Sequence, residues 1–156
     1  MKKRLNLLRN VFKKVLHTHT KPIFIIEDDV IYGKALKAFI QNCFPNIKEV
    51  KIFPIGEMSL MELQMHPTVI IIDYFLNSKY AEAHNGLEII KQIKDQKPNT
   101  NIIVLSAQEK PGIILEAIRD YDCRYVQKDK NAFQNVEQLI KEFITPKKTP
   151  TLEPWA

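Results

Sequence analysis

Between residues 22 and 144, short apolar runs alternate with longer stretches in which apolar positions recur every three or four residues. Such alternation is the pattern of β-α units built around a mostly parallel sheet. Five units are predicted, with strands at 23–27, 48–53, 68–73, 101–106 and 124–127. Three of these are β-branched runs without polar alternation, as expected where helices cover both faces of the sheet. The second and fifth are more polar and are expected near the edges. Helical stripes lie between them: Tyr32, Leu36, Phe39, Ile40 and Cys43; Met58, Met61 and Met65; Leu87, Ile90 and Ile93; Ile114, Ala117, Ile118 and Tyr121; and Phe133, Val136, Ile140 and Phe143. Asn85-Gly86 is predicted to open the third helix, Lys97-Pro98-Asn99 to follow it, and Pro111 to sit in the first turn of the fourth. Crossovers this short are right-handed, which gives a compact α/β sandwich.

The ends differ from the body. In residues 1–19, Leu5, Leu8, Phe12, Val15 and Leu16 form one helical stripe among Lys and Arg, predicting a basic amphipathic helix. It is expected to pack on its own domain or on a second copy; an anionic membrane surface, a partner helix and a targeting leader are the alternatives. The tail from 145 to 156 is rich in Pro and Lys and reads as extended. The division is therefore 1–21 for the leader, 22–144 for the domain and 145–156 for the tail.

Charge follows the same division. Of the net +5, residues 1–22 supply seven basic groups and no acid, whereas residues 23–144 hold 14 basic against 17 acidic residues. The body is acidic, so no nucleic-acid partner is predicted. With 156 residues, 45% of them hydrophobic, the chain suits one domain, and no apolar run approaches the length that spans a bilayer. Cys43 and Cys123 stand apart within apolar patterns, which suits reduced packing thiols and a cytoplasmic location.

Parallel sheets bind ligands at the carboxyl ends of their strands. Here those ends carry Glu27-Asp28-Asp29, Asp73, Ser106 and Lys128. Clustered carboxylates repel one another unless a hard cation neutralises them, and oxygen ligands suit Mg²⁺. One carboxylate is then left as a nucleophile, while a lysine and a hydroxyl opposite it grip the oxygens of an incoming phosphoryl group. An aspartyl phosphate is the inference. Asp29 is also placed to cap the helix that follows it.

These residues resemble the receiver domains of two-component response regulators over about residues 22–144. Ile23-Phe24-Ile25-Ile26-Glu27-Asp28-Asp29 looks like the family's first strand and acidic pair, Val69-Ile70-Ile71-Ile72-Asp73 like the phosphoacceptor strand, Val104-Leu105-Ser106-Ala107 like the hydroxyl strand, and Tyr125-Val126-Gln127-Lys128 like the strand with the switch aromatic and the phosphate-binding lysine. The resemblance implies a doubly wound, flavodoxin-like α/β fold: a five-stranded parallel sheet in order 2-1-3-4-5 with five helices, here preceded by the N-terminal amphipathic helix. It implies Asp73 as the phosphorylated residue, Lys128 and Ser106 as its phosphoryl-binding partners, and Mg²⁺, with Mn²⁺ as a substitute, held by Asp28, Asp73, Glu27 and the backbone carbonyl of Phe75. Ser106 and Tyr125 would form the switch, while Ala107, Phe75 and Gln108 would govern access to the phosphoryl group. Such a protein is no enzyme with a separate substrate. It catalyses its own phosphorylation and dephosphorylation, receives the group from a histidine kinase or histidine phosphotransfer protein, and signals through the face of the fourth helix, fifth strand and fifth helix to a separate output protein. Homodimerisation or weak membrane association would run through residues 1–20.

Three features depart from the family pattern: the twelve residues between Asp73 and Gly86, Asp129 where many receivers have proline, and the aromatic Phe75 two residues after the acceptor. Phe75 is expected to slow loss of the phosphoryl group. A haloacid-dehalogenase-type phosphatase would need an acid at position 75. A nucleotide fold would need a glycine-rich turn, but glycines 33, 56, 86 and 112 are scattered singly. His17, His19, His66 and His84 form no hydrolytic triad pattern. The rival reading is a receiver-fold interaction or dimerisation module that works without phosphate.

Overall fold

The computed structural model describes residues 21–76, 85–107 and 112–145. The basic leader, Gln108, Pro111 and the Pro-rich tail lie outside the described residues, as does most of the long loop after Asp73. Five strands, β1 (Ile23–Ile26), β2 (Val50–Phe53), β3 (Val69–Asp73), β4 (Asn101–Ser106) and β5 (Arg124–Gln127), form one parallel sheet in the order β2-β1-β3-β4-β5. The two more polar strands are its edges, as their composition requires. The helices are α1 (Val30–Cys43), α2 (Gly56–Met61) with a 3-10 turn at Leu63–Met65, α3 (Gly86–Gln96), α4 (Gly112–Tyr121) and α5 (Ala132–Ile144).

Alternate side chains of the central strands feed two cores. Ile23, Ile25, Val69, Ile71, Ile103 and Leu105 pack against Leu36 and Ile40 of α1 and Val136 and Ile140 of α5. Phe24, Ile26, Ile70, Ile72, Ile102 and Val104 meet Leu63 and, on α3, Ile89, Ile90 and Ile93. Burial on both faces is why β1 and β3 read as unbroken apolar runs. Each fully buried side chain of this size contributes about 1.5–3 kcal/mol.

The second helix corrects its predicted face. Met58 and Met61 are 46% and 77% exposed, whereas Gly56, Ser59 and Leu63 are buried and Leu60 and Met65 pack partly against the core. Small residues face inward because α2 lies close to α3: a Cβ on Gly56 would stand 2.3 Å from Ile89 Cγ1. Of the predicted methionine stripe, Met58 and Met61 lie on the outer side and only Met65 turns inward.

Two helix starts hold the sheet's upper rim. Asp29 caps α1, its Oδ1 accepting from the Ile31 and Tyr32 amides at 2.9 and 3.0 Å. Asn85 caps α3 in a reciprocal box, its Oδ1 accepting from Glu88 N at 3.0 Å while Glu88 Oε2 accepts from Asn85 N at 3.1 Å. Replacing Asp29 by alanine is expected to lower stability by about 1 kcal/mol, the usual loss of an N-cap, read as an earlier urea midpoint with an unchanged slope.

Candidate functional site

The strand ends bring the polar residues together because the parallel pairing continues one residue past the strands. Glu27 N donates to Phe53 O at 3.0 Å, Tyr74 N to Leu105 O at 2.8 Å, and Lys128 N to Ser106 O at 2.7 Å. Residues 27, 73, 106 and 128 thus reach the same rim of the sheet. Glu27, Asp28 and Asp73 each offer a carboxylate oxygen, and these oxygens lie within 4.8 Å of one another. Glu27 is 1% exposed and Asp73 7%, and the Ser106 side chain is wholly buried. Asp28 is half-buried, so the acidic cluster opens to solvent on its side.

Lys128 closes the cluster. Its Nζ donates to Asp73 Oδ2 at 2.6 Å and to Glu27 Oε2 at 2.8 Å, bridging the two buried carboxylates across the ends of β1, β3 and β5. The other oxygens are held by main chain: Phe75 N donates to Asp73 Oδ1 at 3.0 Å and Asp29 N to Glu27 Oε1 at 3.2 Å. Burial pushes the Glu27 carboxyl up to about 7, with the Asp73 charge adding to the rise and Lys128 and the Asp29 amide opposing it. Burial acts to lower the Lys128 pKa, but its hydrogen bonds to Asp73 and Glu27, and their charges, outweigh this and hold it above the ordinary lysine value. Three carboxyl groups against one ammonium leave the pocket short of positive charge. A divalent oxygen-seeking cation fits that deficit.

The remaining predicted residues take definite places. Ala107 is exposed just beyond β4, and Phe75 is 39% exposed with its ring edge-on to Tyr74 at 4.9 Å. Tyr125 packs partly against the core cluster that α3 lines. Asp129 opens α5: its Oδ1 accepts from Asn131 N at 2.8 Å and its carbonyl from Ala132 N at 3.1 Å. The aspartate therefore builds this turn by side-chain hydrogen bonding. His66 and Asp122 take left-handed backbone conformations at the opposite, amino-terminal side of β3 and β5, away from the carboxylates.

Pattern reading missed two contributors. Gly86 approaches the end of β3 so closely that a Cβ there would lie 2.6 Å from Asp73 O and 2.8 Å from Tyr74 O. Tyr32, read only as part of the α1 packing stripe, places its ring 4.5 Å from Lys128 Nζ.

The family model for the response regulator receiver domain matches residues 23–141. The chain belongs to that family. Among solved receiver structures, the BeF3-activated DrrB receiver domain of Thermotoga maritima is 24% identical, with a TM-score of 0.64 over 80% of this chain and 97% of that one. The response regulator domain of Thermotoga maritima CheB is 23% identical, with a TM-score of 0.63 over 81% and 94%. Thermotoga maritima TrrA, solved in complex with Mg²⁺ and BeF, is 22% identical with a TM-score of 0.63 over 80% and 99%. At these identities the likeness establishes the CheY-like receiver fold. No protein of curated function matches the chain. As a receiver, it belongs to the phosphorelay signalling machinery of two-component systems, and among its described residues no helix is long and apolar enough to cross a membrane.

Proposed function

We propose that this receiver accepts a phosphoryl group on Asp73 in a Mg²⁺-dependent step, from a histidine kinase or histidine phosphotransfer protein, and passes the signal to a separate partner. The observation that carries the reading is the convergence of Glu27, Asp28 and Asp73 with Lys128 bridging two of them. Asp73 is the acceptor because it ends the central strand, is nearly buried, and has one oxygen oriented by the Phe75 amide and the other by Lys128. Asp28, Asp73 and Glu27 would hold the cation with the Phe75 carbonyl. Bound there, Mg²⁺ would screen the carboxylates and the developing phosphoryl charge.

The chain's own groups do the rest. An Asp73 oxygen attacks the donor's phosphorus, an O–P bond forms as the bond to the donor breaks, and the leaving group departs with its electron pair. Lys128 turns from the carboxylates toward the phosphoryl oxygens, and the Ser106 hydroxyl, beside it on β4, supplies a second donor. Moving Ser106 draws on the segment that follows β4 and frees Tyr125 to repack, changing the face of α4, β5 and α5 that a partner reads. The free cysteines suit the reducing cytoplasm.

The test is intact-mass spectrometry after incubation with acetyl phosphate and Mg²⁺. A single phosphoryl adduct is expected on the wild type. It should be absent with EDTA and absent from Asp73→Ala. No adduct on the wild type, or an adduct that persists in Asp73→Ala, overturns the reading.

A further inference from the structure

Lys128 carries its charge on a flexible four-carbon stem, and two carboxylates alone do not fix where the ammonium goes once a phosphoryl group competes for it. The structure supplies a third support. The ring of Tyr32, in the first turn of α1, faces Lys128 Nζ at 4.5 Å from its centroid. That ring is braced from α5: Phe133 meets it edge-on at 5.4 Å, and Phe39 meets Phe133 at 5.4 Å. The Tyr32 hydroxyl is buried and has no hydrogen-bond partner among the described residues. An uncompensated hydroxyl is a net cost to a fold, so what Tyr32 gives the site is its ring face.

We propose that Tyr32 is a positioning residue for Lys128, holding the ammonium by a cation–π contact while its carboxylate partners change. The inference rests on the reading of Lys128 as a phosphoryl-binding group. A ring face suits the task because it attracts an ammonium without a fixed hydrogen-bond direction. Lys128 slides across it from Glu27 toward a phosphoryl oxygen and keeps the contact throughout. A third carboxylate in this place would instead compete with the phosphoryl group for the same protons.

Lysine ammonium NMR on the Mg²⁺-free chain tests the contact, with Lys128→Met identifying the resonance. In the wild type the Lys128 signals are expected to carry an upfield ring-current shift; Tyr32→Phe should keep it and Tyr32→Leu should lose it. Phosphorylation by acetyl phosphate should stay within about two-fold of wild type in Tyr32→Phe and slow about ten-fold in Tyr32→Leu, the size of a desolvated cation–π contact. Absence of the ring-current shift in the wild type overturns the proposal whether or not the leucine variant folds. A phenylalanine variant as slow as the leucine variant also overturns it and moves the role to the hydroxyl. A wild type that shows the shift but takes no phosphoryl group sinks the proposed function and leaves the positioning contact standing.

Discussion

Gly86→Ala is expected to destabilise the receiver by about 3 kcal/mol or more and to cut phosphoryl transfer to Asp73 as well. Alanine normally gains about 1 kcal/mol over glycine inside a helix. Here its Cβ would lie 2.6 Å from the Asp73 carbonyl oxygen, 2.8 Å from that of Tyr74 and 2.9 Å from Tyr74 Cα. All three are backbone atoms, and a backbone anchored by the Tyr74 N to Leu105 O hydrogen bond cannot yield cheaply. Either α3 lifts from the sheet, emptying the space around Ile89 and Ile90, or β3 shifts and Asp73 leaves Lys128. Gly33→Ala is the control, because its Cβ would meet Ile52 Cγ2 at 3.4 Å and Glu27 Cγ at 3.5 Å, close to ordinary contact. It should change stability by no more than about 1 kcal/mol. Urea unfolding of both variants, beside the mass assay, checks the contrast; equal effects would show that the close approach at Gly86 is not the cause.

In EDTA, Glu27→Gln is expected to stabilise the chain at pH 8 and to leave its stability unchanged at pH 4. Burial raises the Glu27 carboxyl from its ordinary 4.5 to about 7. Between those values the folded chain binds more protons than the unfolded one, so the stability of the wild type falls as pH rises through the window. Glutamine removes the titration and keeps an oxygen for the Asp29 amide. The gap between variant and wild type should therefore open from pH 4.5 upward, level off above pH 7, and reach on the order of 3 kcal/mol. Lys128 retains Asp73 as a partner and stays charged throughout. Urea midpoints across the pH range give the gap directly. A constant gap, or one that closes as pH rises, would refute the assignment of the strain to Glu27.

Strands were the most legible part of the chain, because isoleucine and valine runs buried on both faces leave no other reading. The gathering of Glu27, Asp28, Asp73 and Lys128 was legible because a parallel sheet sends the ends of its strands to one rim. What the pattern hid was close packing and long-range pairing. Met58 and Met61 pointed to the wrong face of α2 because their periodicity weighs apolarity, whereas contact with Ile89 selects the small Gly56, and the buried Ser59 hydroxyl donates to the Gly56 carbonyl. Glu27 was legible as an acid of the cluster but not as a partner of Lys128, a residue 101 positions away brought to it by tertiary structure. The Asn85-to-Glu88 spacing did carry a capping-box signature, stronger than the turn signal of Asn85-Gly86 alone.

The two margins of the sheet share one device. β2 and β5 are four residues long, and each bears a cation matched to a carboxylate on its own fold, Lys51 with Glu62 and Arg124 with Glu142 at 2.8 Å. Among the described residues, an incoming strand would find a short edge and would meet a charged pair there. Extension of the sheet at either margin is thereby disfavoured, and with it the fibrous assembly that long unpaired strand edges template.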